Sequence, residues 1–194
     1  MYLCVYQAQR KDSGKRFAVK MIERANPAFD VEALRKEIDT MQRINHPNCI
    51  RLHDVFEEEK YICLVLDLVT GGELFDRIIA RGHYSEKDAA EVSKEVLLAV
   101  AYLHAQGIVH RDLKPENLLY MSNDENTREY KHIKVADFGL ARSFPPSAAF
   151  ASASLLLLHF LALLPRARGG EAHRASPPRA IRVGPNVGGE HLRS

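Results

Sequence analysis

Eight consecutive residues, His110-Arg111-Asp112-Leu113-Lys114-Pro115-Glu116-Asn117, carry the side chains best suited to chemistry, and Asp137-Phe138-Gly139 follows twenty positions past Asn117. Asp112 can accept the proton of an attacking hydroxyl, and Lys114 can neutralise a phosphoryl group in transfer. Asn117 and Asp137 offer the oxygen ligands that Mg²⁺ prefers, an ion that keeps substrate phosphates in its shell. A hydroxyl is a poor nucleophile at neutral pH, so positioning and charge neutralisation must carry most of the rate. A lone His-Arg-Asp triplet reads as a solvated turn rich in charge. Here a base, a cation and two metal-type ligands fall close together, and a strand-like run, Ile133-Lys134-Val135-Ala136, leads into Asp137.

This set matches the protein kinase signature at its fixed positions. Residues 2–144, about three quarters of the chain, resemble the N-terminal part of a eukaryotic protein kinase domain. Gly71-Gly72-Glu73-Leu74-Phe75-Asp76-Arg77-Ile78 and Asn117-Leu118-Leu119-Tyr120 are similar to the calcium/calmodulin-dependent kinase group, and Lys114-Pro115-Glu116-Asn117 is similar to serine/threonine kinases. The resemblance implies an α+β, protein-kinase-like bilobal fold that is incomplete. It would have a small lobe of antiparallel strands plus one helix, and only the first part of a helical large lobe. It also implies ATP and Mg²⁺ as cofactors and a Ser/Thr-bearing protein as substrate.

Composition narrows the alternatives. The chain has 194 residues, a net charge of +2 and 46% hydrophobic residues, which fits a globular body and gives no electrostatic case for nucleic acid or membrane. Cys4, Cys49 and Cys63 are odd in number and scattered without metal spacing, which suits a reducing, cytoplasmic setting. The N-terminus lacks a basic segment followed by an apolar run, so no secretory signal is expected.

The elements that must position the chemistry can be taken in order. Residues 2–8 and 16–22 predict two strands of a hairpin, turning at Asp12-Ser13-Gly14-Lys15. Alone, Lys20 on the second strand reads as a solvated charge; the resemblance makes it the lysine that holds the α- and β-phosphates of ATP. Residues 30–44 predict a helix with the apolar stripe Val31, Leu34, Ile38, Met41 and Ile44, ended by His46-Pro47. Glu37 on that helix could pair at the surface with Lys36 or Arg35; the resemblance pairs it with Lys20 instead. Residues 50–56 and 61–67 predict two further strands, the second apolar enough to be buried on both faces. By resemblance, Leu66 is the gatekeeper, and Asp67, Leu68 and Val69 form a hinge whose backbone bonds adenine. Val5 and Ala18 would cover the ring from one side and Leu119 from the other, although residues like these are more often plain core. Glu73 would reach a ribose hydroxyl or a basic substrate residue, and Glu116 is placed with the same nucleotide-binding set. Ser85-Glu86-Lys87-Asp88 is a capping box opening a long helix with Ala89, Val92, Val96, Val100 and Leu103 on one face, stopped by Gly107. The polar run 121–132 predicts a hairpin loop; its oxygen-bearing residues lack EF-hand spacing.

The resemblance divides the chain into a small lobe at about 1–66, a hinge at 67–72, the start of a large lobe at 73–144, and a non-kinase tail at 145–194. It is broken in three places. Met1 to Cys4, ahead of Val5, contain no glycine, so the phosphate-covering loop is expected to be missing. No Ala-Pro-Glu triplet follows Asp137-Phe138-Gly139, so the phosphorylated activation-loop residue that Arg111 would meet is expected to be absent, and the helix at 86–105 should expose its apolar face. The tail lacks Lys, Tyr and Asp, and its uncharged run Ala148 to Leu164 reads as a short membrane anchor, as a helix covering the truncated lobe, or as sequence never selected for folding; disorder is expected beyond it. Calmodulin is not implied as a partner, since no segment for it follows the kinase-like part. Three functions therefore stand side by side: an ATP-dependent serine/threonine kinase, a truncated inactive fragment that binds nucleotide or partners, and a membrane-tethered protein.

Overall fold

The β-branched and aromatic residues near the N-terminus form the expected hairpin in the computed structural model, which describes residues 4–144 apart from Ala28 and His83. β1 (Cys4–Gln9) pairs antiparallel with β2 (Arg16–Glu23), and Gly14 takes the positive φ of 69° that the turn requires. β3 (Leu52–Glu57) and β4 (Tyr61–Asp67) complete a four-stranded antiparallel sheet of order β1-β2-β4-β3. Successive strand residues face opposite ways, so the burial of Ile62, Cys63 and Leu64 in a row means β4 is covered on both faces, as its unbroken apolar run predicts. A register shift between Leu52 and Asp54 marks a bulge in β3. There the His53 Nε2 lies 2.7 Å from the Asp67 carboxylate and the His53 ring stands edge-on to Phe17.

The sheet, with residues up to 29 and 52–68, forms one compact unit; residues 30–51 and 69–144 form the other. α1 (Val31–Gln42) starts where the Asp30 carboxylate accepts hydrogen bonds from the Glu32 and Ala33 amides, each 3.0 Å long. Leu34 and Met41 are buried, whereas Val31 is 41% exposed, so the apolar stripe begins one turn later than expected. The residues after α1 are tied to the second unit: the Tyr102 hydroxyl accepts from the Asn45 amide (2.8 Å), and the Arg43 guanidinium donates to the Gln106 carbonyl (2.6 Å).

α2 (Leu74–Arg81) ends on Gly82 in the left-handed conformation. α3 (Glu86–Ala105) opens on the expected capping box, with Ser85 Oγ accepting from the Asp88 amide at 3.1 Å, and closes at Gly107 with φ 67°. Its buried stripe is Val92, Val96, Ala99 and Leu103; Ala89 and Val100 fall at the margins, because the spacing follows 3.6 residues per turn toward Ala99. The expectation that this helix exposes its apolar face is corrected: the predicted face packs on its own unit, and the exposed leucines, Leu97 and Leu98, lie off that stripe.

β5 (Ile108–Val109) follows α3, and β6 (Leu118–Tyr120) pairs antiparallel with β7 (Ile133–Val135) across the expected loop at 121–132. β8 (Arg142–Ser143) returns to pair with β5. β7 is also flanked by residues 48–50, since the Ile50 amide donates to the Val135 carbonyl and the Val135 amide to the Asn48 carbonyl. Glu95 of α3 locks this arrangement. Its carboxylate accepts from the Ile133 amide (2.6 Å) and the Asn48 side chain (3.0 Å), and it lies 3.3 Å from the His132 ring. Among the described residues no helix is long and apolar enough to cross a membrane. The run at 148–164, the rest of the tail and Met1 to Leu3 lie outside the described residues.

Two predictions follow from the Glu95 lock. Glu95→Ala strips the acceptor from a buried amide and should lower the unfolding free energy by about 3 kcal/mol; urea melts showing under about 0.5 kcal/mol would contradict it. The hydrogen bond to Glu95 raises the His132 pKa. Its stabilisation is therefore full below the unfolded value, near 6.5, and is lost as pH rises through the folded value. The stability gap between wild type and His132→Gln should shrink between about pH 5 and about pH 9; a gap that widens refutes the linkage.

Candidate active site

The chain leaves β5 into His110, whose ring is almost fully buried. Its Nδ1 accepts from the Asp112 amide (3.3 Å), so its Nε2 carries the proton and donates to the Ala136 carbonyl (2.9 Å). Burial lowers the His110 pKa against the opposing pull of the Ala136 bond, which keeps the imidazole neutral in that tautomer. Arg111 then turns the chain with a positive φ of 67°, and its Nε donates to the Leu140 carbonyl at 2.8 Å.

That turn presents Asp112 beside two partners. Lys114 Nζ donates to Asp112 Oδ2 at 2.7 Å, and Asn117 Nδ2 donates to the same oxygen at 3.1 Å and to the Asp112 carbonyl at 2.7 Å. The Lys114 hydrogen bond, foremost, holds the Asp112 carboxyl below its ordinary pKa and raises that of Lys114. Both side-chain bonds fall on Oδ2. Pro115 starts the short 3₁₀ turn 115–117 that brings Asn117 back to Asp112; proline suits a first helical position because its missing N–H is not needed there.

Asp137 is held next to this group by the backbone. The Ala136 amide donates to the Asn117 carbonyl (2.8 Å) while the Ala136 carbonyl accepts from His110. Asp137 has φ 62° and its Oδ1 accepts from the Gly139 amide (3.3 Å). A Cβ at Gly139 would stand 3.7 Å from Glu37 Oε2, so α1 brings Glu37 to the same turn. Since the Asn117 amide nitrogen is committed to Asp112, its oxygen is the end left for a metal. Among the described residues no group of three His, Cys, Asp or Glu gathers as a metal site. One carboxylate and one amide oxygen fit Mg²⁺ shared with substrate phosphates, as this ion prefers, and not a resident all-protein cage.

The remaining expected residues fall into two sets. Residues 70–73 run along β6: the Gly71 amide donates to the Tyr120 carbonyl (2.9 Å), the Tyr120 amide to the Gly72 carbonyl (2.9 Å), and Glu73 bridges Leu119. Only glycine fits at 71, where a Cβ would meet Tyr120 and Ser122 atoms at 2.5 Å. This pairing places Glu73 beside Leu119, just beyond Val69. Burial, with the charges of Asp76 and Glu116, raises the Glu73 pKa. In the sheet, Val5 lies opposite Lys20 and Ala18 opposite Leu66. Cross-strand partners and alternate residues share a face, so the sheet gathers Val5, Ala18, Lys20 and Leu66 on one side. Asp67 lies opposite Phe17, on the other face, where its carboxylate meets His53. Two contributors escaped the sequence reading: the His110 link to Ala136 and the Arg111 bond to Leu140.

The family model for the protein kinase domain matches residues 2–160. The human calcium/calmodulin-dependent protein kinase type IV is 49% identical over 138 residues, covering 71% of this chain and 28% of that protein. The Caenorhabditis elegans calcium/calmodulin-dependent protein kinase type 1 is 44% identical over 140 residues (72% and 39%), and myosin light chain kinase A of Dictyostelium discoideum is 45% identical over 139 (71% and 46%). The chain thus spans less than half the length of each of these relatives. With the Asp112, Lys114 and Asn117 cluster bonded through Ala136 to the Asp-Phe-Gly turn, and a family match over most of its length, the chain belongs to the protein kinase family, within its calcium/calmodulin-dependent kinase-like serine/threonine group.

Proposed function

We propose that this site transfers the γ-phosphoryl group of ATP to a serine or threonine hydroxyl of a protein substrate. The convergence of Lys114 and Asn117 on a single oxygen of Asp112 is the observation that carries the reading. Asp112 Oδ1 accepts the hydrogen bond of the incoming hydroxyl and orients its oxygen. A carboxylate with a depressed pKa is a weak base, so it takes the proton late, once the forming O–P bond has made that proton acidic. Lys114 stays cationic and offsets charge on the transferring group. Asn117 and Asp137 would hold Mg²⁺, which neutralises phosphate charge when bound. The resemblance assigns Lys20, oriented by Glu37, to the α- and β-phosphates. It assigns Val5, Ala18, Leu66, Leu119 and the backbone of Asp67 and Val69 to adenine, and Glu116 to the same nucleotide-binding set; Glu73 would reach a ribose hydroxyl or a basic substrate residue.

In this reading residues 1–144 are a partial kinase domain, with its hinge at 67–72, and 145–194 a tail outside it. The setting is cytoplasmic: the three cysteines are free, and burial pushes the Cys49 thiol up to about 12, as suits an inert core residue. A second reading, a nucleotide-binding fragment without turnover, is favoured by one observation. Leu97 and Leu98 of α3, with Phe75 and Ile79 of α2, stand exposed, as on a surface that takes a partner.

The purified 194-residue chain, given Mg·ATP and a Ser/Thr peptide, separates the two readings. The kinase reading expects turnover that Asp112→Asn lowers by about a hundredfold or more at unchanged ATP affinity. Binding of Mg·ATP without turnover, weakened by Asp137→Asn, would support the fragment reading instead. Neither binding nor turnover would remove both.

A further inference from the structure

Arg77 of α2 closes three separate pieces of chain with one side chain. Its guanidinium lies over the rings of Tyr120 and Tyr130, 3.7 and 4.1 Å from their centroids. Nη2 donates to the carbonyls of Gly71 (3.0 Å) and Ser122 (2.8 Å), and Nη1 donates to the carbonyl of Tyr130. Tyr130 is itself fixed, donating from its hydroxyl to Glu125 (2.8 Å) and accepting from Arg81 (3.1 Å). Such a set needs arginine: a planar fork reaches three carbonyls at once and stacks on rings, whereas a lysine offers one point charge.

The carbonyls it holds are not arbitrary. Gly71 and Gly72 exchange hydrogen bonds with Tyr120, and the next pair along that edge is Glu73 with Leu119. Ser122 and Tyr130 lie toward the two ends of the loop that joins β6 to β7. Fixing the Gly71 carbonyl therefore fixes the edge pairing from which both Glu73 and Leu119 take their places. We infer that Arg77 is a positioning residue for the nucleoside end of the site, holding Glu73 and Leu119 in register through Gly71 and the 121–132 loop. This rests on the nucleotide reading proposed above, and it adds a determinant remote from the phosphate chemistry: Arg77 should set the affinity for the adenosine part of the ligand and leave the phosphate and Mg²⁺ part alone.

The test uses the 194-residue chain and its Arg77→Ala and Arg77→Lys variants. Amide hydrogen exchange and calorimetric titration with adenosine and with Mg·ATP are measured on each. Arg77→Ala should speed exchange at Gly71 and Tyr120 while leaving Val96 and Leu103 of α3 unchanged. It should weaken adenosine and Mg·ATP by the same factor, about tenfold, the scale of one hydrogen bond to a charged group. Arg77→Lys should recover only part of the loss. Unchanged adenosine affinity in Arg77→Ala, full recovery by lysine, or exchange accelerated equally in α3 would each overturn the assignment. Wild-type chain that binds neither ligand would overturn the nucleotide reading itself, an outcome visible before any variant is compared.

Discussion

Ala136 is bonded on both sides of its own residue, its amide to the Asn117 carbonyl and its carbonyl to the His110 ring. The candidate site depends on this pair of bonds. Asp112 and Asn117 belong to one turn, and Asp137 to the start of another. Asp137 also has a positive φ, which costs about 1 kcal/mol or more for a residue with a Cβ. Such a conformation persists only where its surroundings over-determine it. Here the neighbouring residue is clamped on one side and Gly139 donates to the Asp137 carboxylate on the other.

The clamp is strengthened because one side of it is shielded from water. His110 and Phe138 are buried, with ring centroids 5.0 Å apart, and Ile108, Leu118, Ile133 and Val135 are fully enclosed around them. In such surroundings a hydrogen bond is less readily traded against water, and breaking one leaves a costly orphan. Four stretches of chain form a ribbon beneath the site, in the order 48–50, β7, β6 and 70–73. Glu95 braces one edge of that ribbon and Arg77 the other. The chemistry therefore sits on paired backbone, although most of its side chains come from loops.

What the sequence made legible was local. The hairpin turn at Gly14, the capping box at Ser85, the C-terminal glycine of α3 and the run 110–117 each act through neighbours a few positions away, so residue type and spacing suffice. What stayed hidden was partner choice across long stretches. Glu95 and Arg77 are charged residues in helices whose ordinary place is a solvated face; nothing local says that one meets Asn48 and Ile133, or that the other meets Gly71, Ser122 and Tyr130. The bulge that turns His53 toward Asp67 is equally silent in sequence. The marginal misplacement of the α3 stripe has a different origin. Ala89, Ala99 and Val100 differ little in apolar character, and only the surface they meet decides which of them is covered.

The same division separates the chemistry from the support around it. The inward stripe of α3 is engaged by β5 and β7, and the carboxylate of Glu95 by backbone and side chains of the ribbon. The outward residues Leu97, Leu98, Phe75 and Ile79 take no part in the bonds that place Asp112, Asn117 or Asp137. Covering or uncovering that outer surface changes apolar area, hence solubility and total stability, by a non-directional effect. The geometry at Asp112 is set instead by directional bonds made within the ribbon. Stability and chemical competence are thus carried by different interactions, and a surface that invites association can coexist with a correctly formed site.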